Sequence, residues 1–594
     1  MRVADYIMER LADAGVAHLF MVTGRGVLYL SDAAAKNPDI SCVPVHHEQA
    51  GAYAAMAYAQ YNGKIGACLV STGCASTNAV TGVLCAWQDD VPCVFVSGQN
   101  TLKETTRHTG LGIRTYGQQE ADIVTVVSSI TKYAVMIDDP SKIAYEMDKA
   151  LYLMSTGRKG PVWIDVPLDI QNMRIEPETM ERFQPPCAKT VDLSEEADKV
   201  VGLLREAKRP IVFVGPEAYS SGAVADLREF FAENKIPVVG SNSAVDLLPL
   251  AGSLSLGVVG SIAGNRAANF AVQNADFVLV LGDRLTSMTV GVDVAKFARE
   301  AAVVAVGGDE AEFRKGTVRF ARIIVAEVGS FIAALKERMR GFDVDWACWQ
   351  AKCLHWKATF PKCEQTRKSC DPMDLYSFAD ALGQAMPDDA VVVVDAGLEE
   401  LIIPSTVSFR QGQRCIQPAS QGAMGYALPA AYGVWLASKS PVICVTGDGS
   451  AMMNLQELQT ISHNAFPVKL FIVNNDCYAV IRKRQQDLFR TRTVGTDPSN
   501  GVSCPDYRKV AEAFGIKYEA IRHENEAAAT LSRVLGQDGP VLCEVFTRPD
   551  QTVLHSSFAR TKEGRFVQRP LEDQSPYLDR DLFLCEMVIE PIDQ

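Results

Sequence analysis

At 594 residues the chain exceeds a single hydrophobic core several times over, so three domains of roughly 150–200 residues each are expected. A composition of 47% hydrophobic, 22% charged and 8% aromatic residues excludes a disordered or fibrous chain. A net charge of −13 with only short basic stretches such as Arg482-Lys483-Arg484 argues against a nucleic-acid partner, and no apolar run reaches the length of a membrane span.

The segment Met1 to Gly15 reads as an amphipathic helix carrying Arg2, Asp5, Glu9, Arg10 and Asp13, not as a signal peptide, and a cytoplasmic protein is the expectation. The sixteen cysteines show no paired C-x-x-C spacing, and many fall in apolar runs (Cys68, Cys93, Cys444, Cys543), so buried reduced thiols are expected. Strand-like runs at Ile65–Val70, Cys93–Val96, Pro161–Val166, Pro210–Val214, Phe277–Leu281, Val391–Val394, Val442–Val445 and Val468–Val473 alternate with helix-length amphipathic segments. That alternation predicts an α/β chain of doubly wound parallel sheets. Two stretches break the rhythm, Asn172–Glu196, rich in Pro, Glu and Thr, and Phe342–Asp374, of mixed charge. They divide the chain into domains at 1–170, 193–340 and 371–548, with a tail at 549–594 that carries a helix at Asp579–Val588 and is expected to fold over a site.

The densest signal lies in the third segment. The strand Pro441–Thr446 runs into Gly447-Asp448-Gly449-Ser450, a helical stretch Met453–Asn464 follows, and a second strand ends at Asn474-Asn475. One βαβ crossover of this kind brings Asp448 and Asn475 to the carboxyl ends of neighbouring parallel strands, where ligands collect in open sheets. Glycines on both sides of Asp448 let the backbone approach an anion, and one carboxylate with one amide oxygen suits a hard cation such as magnesium. Either piece alone reads as an ordinary turn; together they read as a site for a metal-bridged diphosphate.

The arrangement resembles the thiamine diphosphate motif, which runs from Gly-Asp-Gly to Asn-Asn, and the resemblance implies that Asp448, Asn475 and the backbone oxygen of Cys477 hold Mg2+. In the same family a carboxylate from the first domain meets the aminopyrimidine ring of the cofactor, and Ser41–Gly51 puts Glu48 at that place. Read alone, Glu48 is a helix-start acid stabilised by the backbone dipole. The segments Phe20–Gly26, Ser71–Asn78, Trp87–Gln99 and Ser420–Gly425 resemble, in order, those of acetohydroxyacid (acetolactate) synthases. The resemblance covers the chain to about residue 548 and implies three domains, pyrimidine-binding, central Rossmann-like and diphosphate-binding. It implies Glu48 and Gln119 as catalytic residues. It also implies cofactor contacts from Gly24, Asn78, Ala423, Met424, Gly447, Asp448, Gly449, Ser450, Asn475 and Tyr478, with Met424 holding the cofactor bent.

The implied activity is decarboxylation of a 2-oxo acid, pyruvate first, with ligation of the two-carbon unit to a second carbonyl. The implied assembly is a homodimer or homotetramer with Glu48 and the diphosphate site on different subunits. The pattern departs from the family in three places: Gln118 precedes Gln119 where a phenylalanine is usual, Ser287 and Met288 stand in place of an Asp-Arg pair, and Tyr478–Gln485 carries no tryptophan. Losing that arginine removes a bidentate carboxylate partner. The Tyr478–Phe489 stretch and the Arg569–Asp573 tail resemble acetolactate-synthase-like proteins of surface-polysaccharide and branched-sugar pathways, so the acceptor stays open between a 2-oxo acid, a keto nucleotide-sugar and a proton. The central segment, with Phe213–Pro216, Leu256–Gly260 and Leu281–Arg284, resembles a domain that binds non-redox FAD. Gly307-Gly-Asp309 has one acid where two are usual, so FAD, another nucleotide and an empty structural domain stay open, whereas a nicotinamide-dependent dehydrogenase would need a Gly-x-Gly-x-x-Gly turn and none follows Pro210–Val214. A non-catalytic relative would have lost Glu48 or Asp448, and both are present.

Overall fold

The computed structural model describes residues 1–187, 191–316, 318–560, 564 and 566–592. Among these, three six-stranded parallel sheets follow one another along the chain. The first holds β1 (His18–Met21), β2 (Ser41–Pro44), β3 (Gly66–Val70), β4 (Cys93–Gln99), β5 (Tyr133–Met136) and β6 (Val162–Pro167). The second holds β7 (Pro210–Val214), β8 (Val238–Gly240), β9 (Ser255–Val258), β10 (Phe277–Leu281), β11 (Ala302–Gly307) and β12 (Arg322–Val325). The third holds β13 (Val391–Val394), β14 (Arg414–Ile416), β15 (Val442–Gly447), β16 (Lys469–Asn474), β17 (Lys517–Ile521) and β18 (Val541–Phe546). Central strands such as β13 are buried along their whole length, as helices on both faces of a parallel sheet require.

The strand orders carry the functional information. The first sheet runs β2-β1-β3-β4-β6-β5 and the third β14-β13-β15-β16-β18-β17, the same topology twice. The second runs β12-β11-β10-β7-β8-β9, the 3-2-1-4-5-6 order of dinucleotide-binding folds. The two like domains meet through equivalent helices, Glu48–Asn62 and Ala427–Ser438, whose facing residues are small. A Cβ on Gly433 would stand 2.4 Å from the Ala54 carbonyl oxygen, so the backbones touch, and one apolar core runs through both domains.

Several elements differ from the sequence expectation. The helix expected over Met453–Asn464 is broken into Asp448–Ala451, a 3-10 turn at Met452–Asn454 and Glu457–His463. At the break, the Asn454 amide donates to the Gly425 carbonyl at 2.9 Å and to the Gln49 side chain at 3.1 Å, and these long-range bonds bend the segment. Inside Phe342–Asp374 lies a helix, Ala347–Thr359, that puts Trp349, Cys353 and Trp356 into the central core. Its neighbour Trp346 donates to the Ala207 carbonyl at 2.9 Å, and Trp349 to that of Pro210 at 2.9 Å. The apolar face of that helix is narrow, since only Trp349, Cys353 and Trp356 of its residues are buried. In the tail, Leu571 and Phe583 join the central core, and Gln273 donates to Glu572 at 2.7 Å. Cys68, Cys93, Cys444 and Cys543 are buried thiols, whereas Cys74, Cys187, Cys348 and Cys585 are exposed. No helix among the described residues is long and apolar enough to cross a membrane.

Candidate active site

In the third domain, β15 ends at Gly447 and Asp448 opens a short helix; β16, hydrogen-bonded beside it, ends at Asn474. Both Asp448 and Asn475 are buried at this edge. The Asp448 carboxylate accepts backbone N–H groups from Gly449 at 2.7 Å, Asn475 at 3.2 Å and Asp476 at 2.7 Å. The Asn475 side-chain oxygen accepts the Cys477 N–H at 3.1 Å, which, with Asp476 in the left-handed region, curls the chain back over Asp448. The Tyr507 hydroxyl donates to the Asp448 carbonyl, locking the turn from below. A Cβ on Gly449 would stand 1.9 Å from the Tyr478 ring, so only glycine fits there. Ser450 is buried in the same turn.

Burial pushes the Asp448 carboxyl up to about 6, against the pull of its three N–H donors. It is one of several acids here. Asp395, just past β13, is fully buried and accepts from the backbone N–H of Ala396, Gly425 and Ala427 and from the Thr446 hydroxyl, at 2.9–3.1 Å. Those bonds fix the loop that carries Ala423 and Met424, whose flanking Gly422 and Gly425 have φ of +54° and +78°. Met424 is half-buried there. Glu399 and Glu400 follow in the first turn after Gly397. Burial, with Asp448, Asp395 and Glu400 adding, pushes Glu399 well above the ordinary carboxyl range, and burial pushes Glu400 up to about 8. The Glu399 oxygens lie 3.2–3.3 Å from where a Cβ of Gly447 would stand, so this carboxyl faces the edge that Asp448 occupies.

In the first domain, β2 leads through His46 and His47 into the helix Glu48–Asn62, and the His47 ring caps the helix by accepting the Gln49 N–H. Glu48 is buried and accepts a hydrogen bond from the Asn78 amide at 2.9 Å. Gly24, after β1, is pressed against Ser71, after β3, so these residues share the carboxyl edge where the strand order reverses. Gln119 is exposed with φ of +59°, and its carbonyl oxygen would stand 1.7 Å from a Cβ on Gly73, which makes that glycine obligatory. The loop is tied from behind: Asn100 donates to the Gln118 carbonyl at 2.9 Å and Gln99 to that of Ala121 at 2.9 Å. Gln99 also meets the buried Asp165 at 3.3 Å, and Ser97 meets it at 2.6 Å.

The structure thus brings Gly24, Glu48, Asn78 and Gln119 to one edge and Ala423, Met424, Gly447, Asp448, Gly449, Ser450, Asn475, Cys477 and Tyr478 to another. Within one chain no hydrogen bond among the described residues joins Glu48 to Asp448; each is bound inside its own domain. The edges do approach each other beneath the site, where the His46 N–H donates to Glu457 at 3.0 Å. Sequence reasoning missed Asp395, Glu399 and Glu400; their signal was a Gly-Leu-Glu-Glu run at the end of a buried valine strand. The site's oxygen donors suit a hard divalent cation, and its Cβ-free approach at Gly449 suits a phosphate against backbone N–H groups.

The chain matches three family models in sequence order: the thiamine pyrophosphate enzyme N-terminal binding domain at residues 1–126, the central domain at 197–335 and the C-terminal binding domain at 395–545. Among curated proteins it is 30% identical to the acetolactate synthase large subunit of Porphyra purpurea over 91% of this chain and 91% of that protein. It is 29% identical to the acetolactate synthase large subunit of Lactococcus lactis, over 97% of this chain and 98% of that protein. It is 28% identical to the acetolactate synthase isozyme 1 large subunit of Escherichia coli K12, over 91% and 93% respectively. With the duplicated nucleotide-fold topology and the acid-and-amide edge already described, these matches place the chain among the thiamine pyrophosphate (thiamine diphosphate) enzymes, in the group that resembles acetolactate synthase large subunits.

Proposed function

We propose that the protein decarboxylates a 2-oxo acid, pyruvate first, and joins the two-carbon unit to a second carbonyl. The observation that carries the reading is the pairing of Asp448 and Asn475 at the ends of adjacent strands β15 and β16, opposite a topologically duplicate domain that presents Glu48. In this reading Asp448, Asn475 and the Cys477 carbonyl hold Mg2+ against the cofactor diphosphate, with Gly447, Gly449, Ser450 and Tyr478 around it. Glu48, with Gly24 and Asn78 near it, shares a proton with a ring nitrogen of the cofactor. Ala423 and Met424, on the loop fixed by Asp395, would pack against the cofactor and set its orientation toward Glu48. Gln119 orients the reacting carbonyl. When bound, thiamine diphosphate supplies a cationic ring that accepts the electrons released as carbon dioxide leaves.

A second copy of the chain completes the site in this reading. Leu28, Leu111, Ile113 and Tyr116 stand exposed beside the Glu48 edge, and Met452, Met453, Val480 and Ile481 beside the Asp448 edge. Apolar surface of this extent at both half-sites supports burial between subunits. Exposed thiols on the surface are in keeping with a reducing, cytoplasmic setting.

The acceptor has a second reading. The helix Ala479–Phe489, which starts beside Tyr478, has no buried residue and carries Arg482, Lys483 and Arg484, with Arg490 and Arg492 after it. A cationic rim on an acidic protein favours an acceptor that bears a diphosphate, such as a keto nucleotide-sugar. The test is to incubate the protein with thiamine diphosphate, Mg2+ and pyruvate, alone and with each acceptor class, and to identify products by mass spectrometry. A ligated product is expected; release of an aldehyde alone would reduce the activity to simple decarboxylation. No turnover of any 2-oxo acid would end the reading.

A further inference from the structure

The central domain has the strand order of a dinucleotide-binding fold, and its crevice opens at the carboxyl ends of β7 and β10, where that order reverses. A dinucleotide needs two things there: free N–H groups in the turn after the first strand, and room for its diphosphate. The turn after β7 reads Gly215-Pro216-Glu217. Pro216 has no N–H to offer, and the Glu217 N–H is already donated to the Gly282 carbonyl at 3.2 Å. The Glu217 side chain then crosses the crevice and accepts the Gly308 N–H at 2.8 Å. Its two oxygens lie 3.1 Å from where Cβ atoms of Gly307 and Gly308 would stand, so the carboxylate reaches from the turn after β7, past the end of β10, to the end of β11 and occupies the crevice.

The cations at the crevice are engaged as well. Arg158, from the first domain, binds Asp90 at 2.6 Å, Glu312 at 2.6 Å and Asp309 at 3.3 Å. Lys159 donates to the Ser220 carbonyl at 2.7 Å, and Arg284 to the Gln88 carbonyl and the Ser420 hydroxyl at 2.5 and 2.6 Å. Two adjoining cavities remain, about 160 Å³ on the Glu217 side and about 220 Å³ on the Tyr219 and Asp246 side, with Asp90, Lys159, Ser220 and Arg284 lining both; each is below the ~300–1,000 Å³ of ordinary small-molecule sites. Burial pushes Glu217 up to about 7, so at alkaline pH it adds a charge that repels phosphate.

We propose that the central domain of this chain does not take FAD or another dinucleotide, because the turn after β7 has no free N–H at Pro216 or Glu217, the Glu217 side chain crosses the crevice, and Arg158 bolts the first domain across the opening. The chain's own ion pairs thus join the two domains where a bridging cofactor would. The test uses the purified full-length protein loaded with thiamine diphosphate and Mg2+, mixed with FAD or ADP, and followed by flavin absorbance after gel filtration and by calorimetry. The wild type is expected to carry no flavin through the column. The double variant Pro216→Gly, Glu217→Gly is expected to bind ADP at least about tenfold more tightly than the wild type. Should that variant fail to fold, Glu217→Gln, which removes the charge and keeps the shape, is expected to bind ADP more tightly than the wild type. Flavin retained by the wild type, or ADP binding that no folded variant improves, would overturn the proposal.

Discussion

The Asn78 side-chain amide donates to Glu48 at 2.9 Å, from the far side of the strand-order reversal in the first domain. The bond holds one carboxylate oxygen and so fixes the orientation of the buried Glu48 side chain at the edge of the sheet. Replacing Glu48 by Gln keeps the shape and the helix start but removes the proton exchange. Activity is expected to fall by about 10²–10⁴, the range of a lost general acid–base group, with thiamine diphosphate affinity little changed. Steady-state rates beside a cofactor titration followed by intrinsic fluorescence check both halves.

Asp448 plays a different part. Three backbone N–H groups converge on it, and its removal takes away both the cation ligand and the hub of the turn. Asp448→Ala is expected to lose Mg2+-dependent cofactor retention on gel filtration while the circular dichroism spectrum stays that of the wild type. Chelation of the wild type with EDTA, followed by the same column, should release the cofactor in the same way. Retention by both preparations would remove the metal from the account.

Gly449→Ala tests the cradle without touching a polar group. The added methyl would stand 1.9 Å from the Tyr478 ring, so the ring or the turn must move. The expected result is cofactor binding weakened by at least about tenfold, which corresponds to 1.4 kcal/mol, with unfolding stability lowered by about 1–3 kcal/mol. The companion Tyr478→Ala, which frees that space, should restore part of the binding in the double variant, and a double-mutant cycle on cofactor affinity measures the coupling.

What the sequence made legible follows from the range of the contacts involved. Asp448 and Asn475 could be found because strand, glycine turn, helix and strand are consecutive, and a single crossover fixes their meeting. Central strands of all three sheets, such as β3, β7, β10, β13, β15 and β16, were legible for the same reason, as continuous apolar runs between turns, whereas edge strands such as β5, β12 and β17 are only partly buried and do not stand out in the same way. The plug formed by Glu217 on Gly308 was not, because it joins residues 91 positions apart across two strand ends. Glu399 and Glu400 went unremarked, because only the folded third domain sets them against Gly447 and Gly422. The helix Ala347–Thr359 was hidden because only Trp349, Cys353 and Trp356 of its residues are buried, a stripe too narrow to stand out as a core face.

The loop of Gln119 is built on Asp165, and this gives the protein a pH dependence of defined sign. Asp165 is almost wholly buried at the middle of β6, where Ser97 and Gln99 are its partners and no cation faces it at hydrogen-bond distance among the described residues. Burial pushes its carboxyl up to about 7. An acid whose folded pKa is raised binds more protons folded than unfolded across the interval between the two values, so stability falls as pH rises from about 4 to about 7 and is level above that. A rise from 3.8 to about 7 corresponds to a loss on the order of 4 kcal/mol. Asp165→Asn cannot ionise and keeps an acceptor for Ser97. Its urea midpoint should therefore change less than that of the wild type between pH 5 and pH 8, and its advantage should be largest at the alkaline end. The same buried acid holds Gln99, and Gln99 holds the Ala121 carbonyl beside Gln119. A wild-type rate for pyruvate that declines with rising pH in this window, while the Asn variant does not, would tie the loop to the reaction; identical profiles would leave Asp165 a matter of stability alone.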